Sequence, residues 1–198
     1  MNNEPNFNRD RWEGQMNPSE RELLYRLVVR EKPNVVCEVG TCRGGGSTYF
    51  ISKALQANQK GKLYTCEVNK EFYDYARKLY SENPDFVGLE QYIDFNFGDS
   101  YDVFRRLLIA DGGLIDGNVD ICLLDGGIDS VKEVYDFAMF RPFMPIGSYL
   151  VLHDWDNGKT DYIRPILKNE HDWNLVQIEI GLAIFQRVAD VHDKDNEI

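Results

Sequence analysis

At 198 residues, with 43% hydrophobic and 13% aromatic content, the chain is long enough for one domain with a buried core and too apolar for a disordered one. A net charge of −11 and a pI near 4.7 disfavour a nucleic-acid phosphate backbone or an anionic membrane as partner, because both need clustered Lys and Arg. The longest apolar runs are strand-length and the opening MNNEPNFNRDRWEG is polar, so no signal peptide or transmembrane helix is expected and a cytoplasmic location follows.

Residues 1–13 are expected to form a mobile arm. Asn17-Pro18-Ser19-Glu20 then opens a helix: Asn17 suits the cap, Pro18 the first helical position and Glu20 the first turn, where the dipole favours an acid. Leu23, Leu24, Leu27 and Val28 share one face, and the helix is expected to end near Lys32-Pro33. Val35, Val36, Cys37 and Val39 have the character of a central parallel strand, which Gly40 breaks. Gly44, Gly45 and Gly46 let backbone N–H groups approach a ligand closely, with the N-terminus of a Ser47–Gln56 helix behind them. A dinucleotide pattern, G-x-G-x-x-G, does not fit, since Cys42 stands two after Gly40 and Tyr49 three after Gly46. Glu38, two residues before the first glycine, suits a ligand that carries an ammonium group. Cys37, Cys66 and Cys122 fall in expected strands and Cys42 in the turn; without C-x-x-C spacing, they read as buried reduced thiols rather than zinc ligands or disulfides.

On Glu38, Gly40 and Gly44 this stretch resembles motif I of the class I S-adenosylmethionine (SAM) dependent methyltransferases, E/D-x-G-x-x-x-G. The resemblance implies SAM bound along the Glu38 to Ser47 turn, with Glu38, Gly40, Thr41, Gly44 and Ser47 as contacts. The third consecutive glycine leaves the register of the methionine-end contacts open by one residue. Gly14-Gln15-Met16 resembles the segment that covers the cofactor in small-molecule O-methyltransferases, with a plain loop as the alternative.

Lys62 to Cys66 forms the next strand and ends in Glu67, placed to accept two hydrogen bonds from ribose hydroxyls, the role that the resemblance also assigns it. A Phe72–Tyr80 helix and a Tyr92–Phe97 strand lead to Gly98-Asp99-Ser100. The resemblance makes these three residues the adenine-side loop; taken alone they read as a helix cap before Val103, Phe104, Leu107 and Leu108. Gly112-Gly113 and Asp116-Gly117-Asn118 bracket a loop. A Val119–Leu124 strand ends at Asp125-Gly126-Gly127, a Ser130–Phe140 helix returns the chain, and a Ser148–Leu152 strand ends at His153-Asp154-Trp155. A right-handed crossover of this length makes these two strands parallel neighbours about 4.8 Å apart, so Asp125 and Asp154 reach one carboxyl edge. Tyr162–Leu167 suggests a short helix. Asn174–Ile180 and Leu182–Arg187 are expected to pair as an antiparallel hairpin turned at Gly181, before an acidic tail at 189–198.

The resemblance spans about residues 14–188 of a single methyltransferase domain, 1–198, with neither internal repeat nor linker. It implies a doubly wound α/β fold with a mostly parallel seven-stranded sheet closed by a C-terminal antiparallel hairpin. It also implies methyl transfer to a hydroxyl of a small molecule such as a sugar, glycoside or phenol, with Asp125, His153 and Asp154 as the catalytic candidates and Asp125 as a further cofactor contact. The acceptor proton has two routes out: a divalent cation such as Mg²⁺ held by Asp125 and Asp154, or His153 as a base. The catechol and caffeoyl-CoA type enzymes end the fifth strand in Asp-Asn and place a lysine three residues after the fourth-strand Asp. Here Trp155 follows Asp154 and Ile128 stands in the lysine's place, so the metal pair carries over in part and the lysine base does not. Asp129, His153 and Asn157 are further donors, and Trp155 either walls the acceptor pocket or covers core. A metal-dependent oxygenase or hydroxylase-like enzyme on the same scaffold and a non-catalytic SAM-binding protein are the alternative functions, and assembly into a homo-oligomer is left open.

Overall fold

Residues 35–39 alternate between two apolar layers: Val36 packs with Leu24, Val28 and Ile51, whereas Cys37 and Val39 pack with Phe104, Leu107 and Leu124. The computed structural model describes residues 4–8, 15–109, 118–127 and 129–189. Its strands are β1 (Val35–Val39), β2 (Lys62–Glu67), β3 (Ile93–Phe97), β4 (Ile121–Leu124), β5 (Tyr149–Leu152), β6 (Trp173–Glu179) and β7 (Leu182–Arg187). Its helices are α1 (Pro18–Glu31), α2 (Ser47–Asn58), α3 (Lys70–Glu82), α4 (Ser100–Leu108), α5 (Ser130–Phe140) and α6 (Ile163–Asn169).

The strands form one seven-stranded sheet in the order β3-β2-β1-β4-β5-β7-β6. The first five in sequence are parallel, β7 runs antiparallel to β5, and β6 pairs antiparallel with β7 at the edge. Leu24, Phe50 and Tyr80 of α1, α2 and α3 fill one layer, and Phe104, Phe137 and Leu167 of α4, α5 and α6 fill the other. The sheet is therefore doubly wound, as expected. The chain leaves β1 toward β2 on one side and reaches β4 on the other, which opens a crevice above the carboxyl end of β1. No helix among the described residues is long and apolar enough to cross a membrane.

Several boundaries differ from the sequence expectation. Tyr92 belongs to a 3₁₀ turn, Glu90–Tyr92, and the Val119 N–H bonds to the Phe143 carbonyl at 2.7 Å, which leaves that residue outside β4. The hairpin forms, but its left-handed residue is Ile180, with φ of 50°, rather than Gly181. The missing side chain of Gly181 serves packing instead: a Cβ there would lie 3.2 Å from both Asp156 Oδ1 and Glu20 Oε1. Within the stretch expected to be a mobile arm, Phe7 stacks on Phe50 and meets Tyr25 edge-on, with centroids 5.7 and 5.6 Å away. Residues 1–3 and 9–13 of that arm, Gly14, the 112–117 loop, Ile128 and residues 190–198 of the tail lie outside the described residues.

Candidate active site

Gly40 follows β1 with φ of +99°, a region that side chains strain to enter, and a Cβ there would lie 2.8 Å from the Gly126 Cα. The backbone N–H groups of Gly40 and Thr41 both bond to the Cys66 carbonyl, so the turn is tied to β2 as it leaves the sheet. Above it lies a cleft of about 360 Å³, walled by the ends of β1, β2 and β3 and by Asp125-Gly126. Gly40, Thr41 and Ser47 line it on the turn side, with Glu67, Gly98, Asp99 and Ser100 opposite.

Glu38 sits beneath this turn, fully buried. Its Oε2 accepts the hydroxyls of Thr48 and Thr65 at 2.7 and 2.6 Å, while Oε1 is buried without a hydrogen-bond partner. Burial pushes the carboxyl up to about 7, against the nearby Ser47 hydroxyl, Thr65 and Thr48. An orphaned acceptor in a native interior calls for a donor; Glu38 itself does not line the cleft, but its neighbours Val39 and Gly40 and the turn residue Ser47 do. Glu67 closes β2 with Oε2 on the Cys42 N–H and Oε1 on the Asn69 N–H, both at 2.8 Å, which fixes the carboxylate at the cleft wall with lone pairs to spare.

The Gly98-Asp99-Ser100 loop caps a helix and borders the cleft. Asp99 Oδ1 caps α4 by accepting the Tyr101 N–H at 2.9 Å, and the loop also lines the cleft. The Ser100 hydroxyl donates to Asp136 Oδ1 at 2.6 Å, and the Lys132 ammonium bonds both groups and lies 3.4 Å from Asp99. Gly44, expected at the ligand, instead supports the turn from behind: its carbonyl accepts the Tyr80 hydroxyl at 2.9 Å, and a Cβ on it would lie 3.1 Å from Ala76 and Tyr80. Gly46, two residues on, lines the cleft. Gln15 and Met16 also line it.

The second half of the site stands at the ends of β4 and β5. Leu124 and Leu152 are in register, and the His153 N–H bonds to the Leu124 carbonyl at 3.2 Å, so Asp125 and His153 emerge side by side. His153 Nδ1 lies 2.9 Å from Asp125 Oδ1 and 3.7 Å from Asp154 Oδ2, and its Nε2 lies 3.5 Å from Glu20 Oε2. Burial alone would lower the imidazole pKa, but the hydrogen bond and charge of Asp125, with Asp154 and Glu20, raise it to about 9. Carboxylates therefore face both ring nitrogens of His153, an arrangement that favours the protonated imidazole. Asp154 adopts φ of 60°, a left-handed conformation that non-glycine residues adopt at a cost, and the Trp155 N–H anchors it on the Gly181 carbonyl at 2.8 Å. Trp155 itself covers core, edge-on to Phe185.

Between the two aspartates lies a group that the sequence reading did not include. Lys159 Nζ is 3.1 Å from Asp125 Oδ1 and 3.5 Å from Asp154 Oδ2. It projects from a 3₁₀ turn, Gly158–Thr160, in which Asn157 Oδ1 accepts the Lys159 N–H at 2.9 Å and the Thr160 hydroxyl bonds to the Trp155 carbonyl at 2.9 Å. Burial opposes its charge, but Asp125, Glu133 and Asp154 outweigh that and raise its pKa above the ordinary lysine value. Glu133 of α5 is fully buried and neither carboxyl oxygen has a hydrogen-bond partner; burial, with Lys159 opposing, pushes it up to about 8.

Asp125, His153 and Asp154 each offer a ligand atom within 4.8 Å of the others, the spacing of a metal site. The donor chemistry does not fit a hard divalent ion well. Asp125 Oδ1 is shared by His153 and Lys159, and an ammonium already fills the gap that Mg²⁺ would take with its six oxygens. Asp129 and Asn157 commit Oδ1 to capping, Asp129 on α5 and Asn157 on the lysine's own turn.

A family profile described as a methyltransferase domain matches residues 37–155. No curated protein matches the chain in sequence. Among solved structures, the O-methyltransferase TomG from Streptomyces achromogenes, involved in tomaymycin synthesis and in complex with SAM, superposes with a TM-score of 0.71 at 17% identity, covering 89% of this chain and 82% of that one. The O-methyltransferase from Bacillus cereus in complex with SAH gives 0.71 at 16% identity over 88% of this chain and 83% of that one. The cofactor-bound Rv0187 from MTB gives 0.72 at 16% identity over 93% and 85%. Those likenesses place the fold. With the profile covering more than half of the sequence and running from β1 past the Asp125 and Asp154 strand ends, the chain belongs to the methyltransferase-domain family.

Proposed function

We propose that the protein is a SAM-dependent O-methyltransferase acting on a hydroxyl of a small molecule. The observation that carries this reading is the orphaned, buried Glu38 Oε1 beneath a cleft whose opposite sides are Glu67 and Asp125. Cofactor-bound O-methyltransferases of the same fold support it. Bound in this cleft, SAM would supply an electrophilic methyl group on a sulfonium. Glu38 and the Gly46-Ser47 end of the turn would hold its ammonium end, Glu67 the ribose hydroxyls, and Gly98-Asp99-Ser100 the adenine edge.

Asp125 belongs to both halves, since it lines the cleft and bonds His153 and Lys159. An acceptor hydroxyl entering beside it meets the Lys159 ammonium as a hydrogen-bond donor and Asp154, the most exposed carboxylate of the cluster, as the proton acceptor. His153 orients Asp125 through its Nδ1 hydrogen bond. Positioning the oxygen about 3 to 3.5 Å from the methyl carbon and in line with the leaving group supplies much of the rate.

Calorimetric titration with SAM and with S-adenosylhomocysteine tests the cofactor half. Glu67→Ala should weaken binding by about 1.5 to 3 kcal/mol, the worth of a charge-assisted hydrogen bond. A wild-type protein that binds neither compound sinks the reading, and an unchanged Glu67→Ala affinity removes the ribose assignment. Release of S-adenosylhomocysteine in a screen of sugars, glycosides and phenols identifies the acceptor.

A further inference from the structure

Paired carboxylates at neighbouring strand ends repel unless a positive charge lies between them. Here that charge is a side chain. Lys159 Nζ lies within 3.5 Å of both Asp125 and Asp154, and its side chain is only 9% exposed. Its backbone is fixed by the Asn157 cap and the Thr160 to Trp155 hydrogen bond, so the ammonium is delivered by a built turn rather than by a free surface chain. A third acid, Glu133, presents a fully buried carboxyl without a hydrogen-bond partner to the same charge.

We infer that Lys159 is the resident cation of the acceptor site: a protein-borne ammonium takes the place of a divalent ion between Asp125 and Asp154, receives the acceptor oxygen, and makes the enzyme independent of metal. The inference rests on the methyltransferase reading for what the site does, but the cation's place does not depend on it. The acceptor O–H would give its proton to Asp154 while its oxygen bonds the methyl carbon and the carbon–sulfur bond of the sulfonium breaks, S-adenosylhomocysteine leaving as a neutral thioether; Lys159 stays protonated throughout and stabilises the developing negative charge on the oxygen by hydrogen bonding, as a metal would by coordination.

The test uses Mn²⁺ alone as the probe, followed by the electron paramagnetic resonance signal of the free ion, so that neither cofactor nor acceptor is required. Wild-type protein should leave Mn²⁺ free. Lys159→Met, which keeps the length of the chain and removes the charge, should bind one Mn²⁺, and adding Asp154→Asn should abolish that binding. Stoichiometric Mn²⁺ binding by the wild type overturns the inference whether or not any variant folds. A folded Lys159→Met protein that binds none, with circular dichroism as the check, overturns it as well. Once an acceptor is found, excess EDTA should leave the wild-type rate unchanged, and Lys159→Met should lose about a hundredfold in turnover, part of it regained with Mn²⁺. SAM titrations on the same samples separate the two claims: failure to bind SAM removes the proposed function and leaves the Mn²⁺ result standing.

Discussion

The carboxylate of Glu20 accepts the backbone N–H of Gly181 at 2.8 Å, joining the first turn of α1 to the β6–β7 turn across 161 positions. Its second oxygen holds the Asn17 N–H at 2.7 Å and lies 3.5 Å from His153 Nε2, so one buried acid braces the helix start, the hairpin and the imidazole. Glu20→Ala should cost about 2 to 4 kcal/mol of stability, because it strands a buried N–H and removes one carboxylate from a buried cation. Urea unfolding measures this, and Glu20→Gln should recover part of the loss. A midpoint equal to the wild type in Glu20→Ala would show that the brace carries no energy.

Glu133 makes stability depend on pH in a definite direction. Its folded pKa of about 8 lies above the ordinary glutamate value, so the folded state holds a proton that the unfolded chain releases near pH 4.5. Its contribution is fully present below the unfolded value and declines as pH rises toward 8, above which the ionised buried form is a constant penalty. Glu133→Gln mimics the neutral acid and should flatten that decline, leaving the variant more stable than the wild type at pH 8.5. Parallel stability curves for the two proteins from pH 5 to 8.5 would contradict the assignment.

Gly40→Ala should fail on two counts. The added Cβ would meet backbone atoms of Asp125 and Gly126 at 2.8 to 2.9 Å, and φ of +99° strains any side chain. Backbone cannot yield as a flexible side chain does, so a loss of about 2 to 4 kcal/mol in thermal or chemical unfolding is expected, with SAM affinity falling more than in Glu67→Ala. A variant of wild-type stability and wild-type SAM affinity would show that the turn tolerates separation from the Asp125 strand end.

The strands and the strand-end groups were legible in the sequence because their signals are local. An apolar run followed by glycine or acid marks β1, β2, β4 and β5, and these carboxyl edges converge in any doubly wound sheet. Glu67 closes β2 and Asp125 follows β4 as that pattern expects, Asp154 lies two residues past β5, and Glu38 lies inside β1. Lys159 was not, since a lysine in a short polar stretch looks like any solvated lysine until a 3₁₀ turn aims it back at the sheet. Glu133 was hidden within an amphipathic helix, where its neighbours give no sign that its own side faces the core. The packing of Gly44 against α3 was not legible, because three glycines in a row share one local signal and only Ala76 and Tyr80 distinguish it. Ile180 shows the limit of turn chemistry: Gly181 is needed for room around Glu20, and the strained angle moves to its neighbour.

The 3₁₀ turn that carries Lys159 follows the last parallel strand and contributes nothing to the sheet ladder. The backbone from Asp154 to Thr160 is fastened by ties that include Trp155 to Gly181, Asn157 to Asp154, Lys159 to Asn157 and Thr160 to Trp155, and none of these four involves the glycine turn. The charge beside Asp125 and Asp154 is therefore held on a segment separate from the glycine turn. On the proposed reading, moving the lysine one position or replacing it with glutamine should change acceptor preference more than cofactor affinity, with the Lys159 to Asp125 bond coupling the two sides of the site.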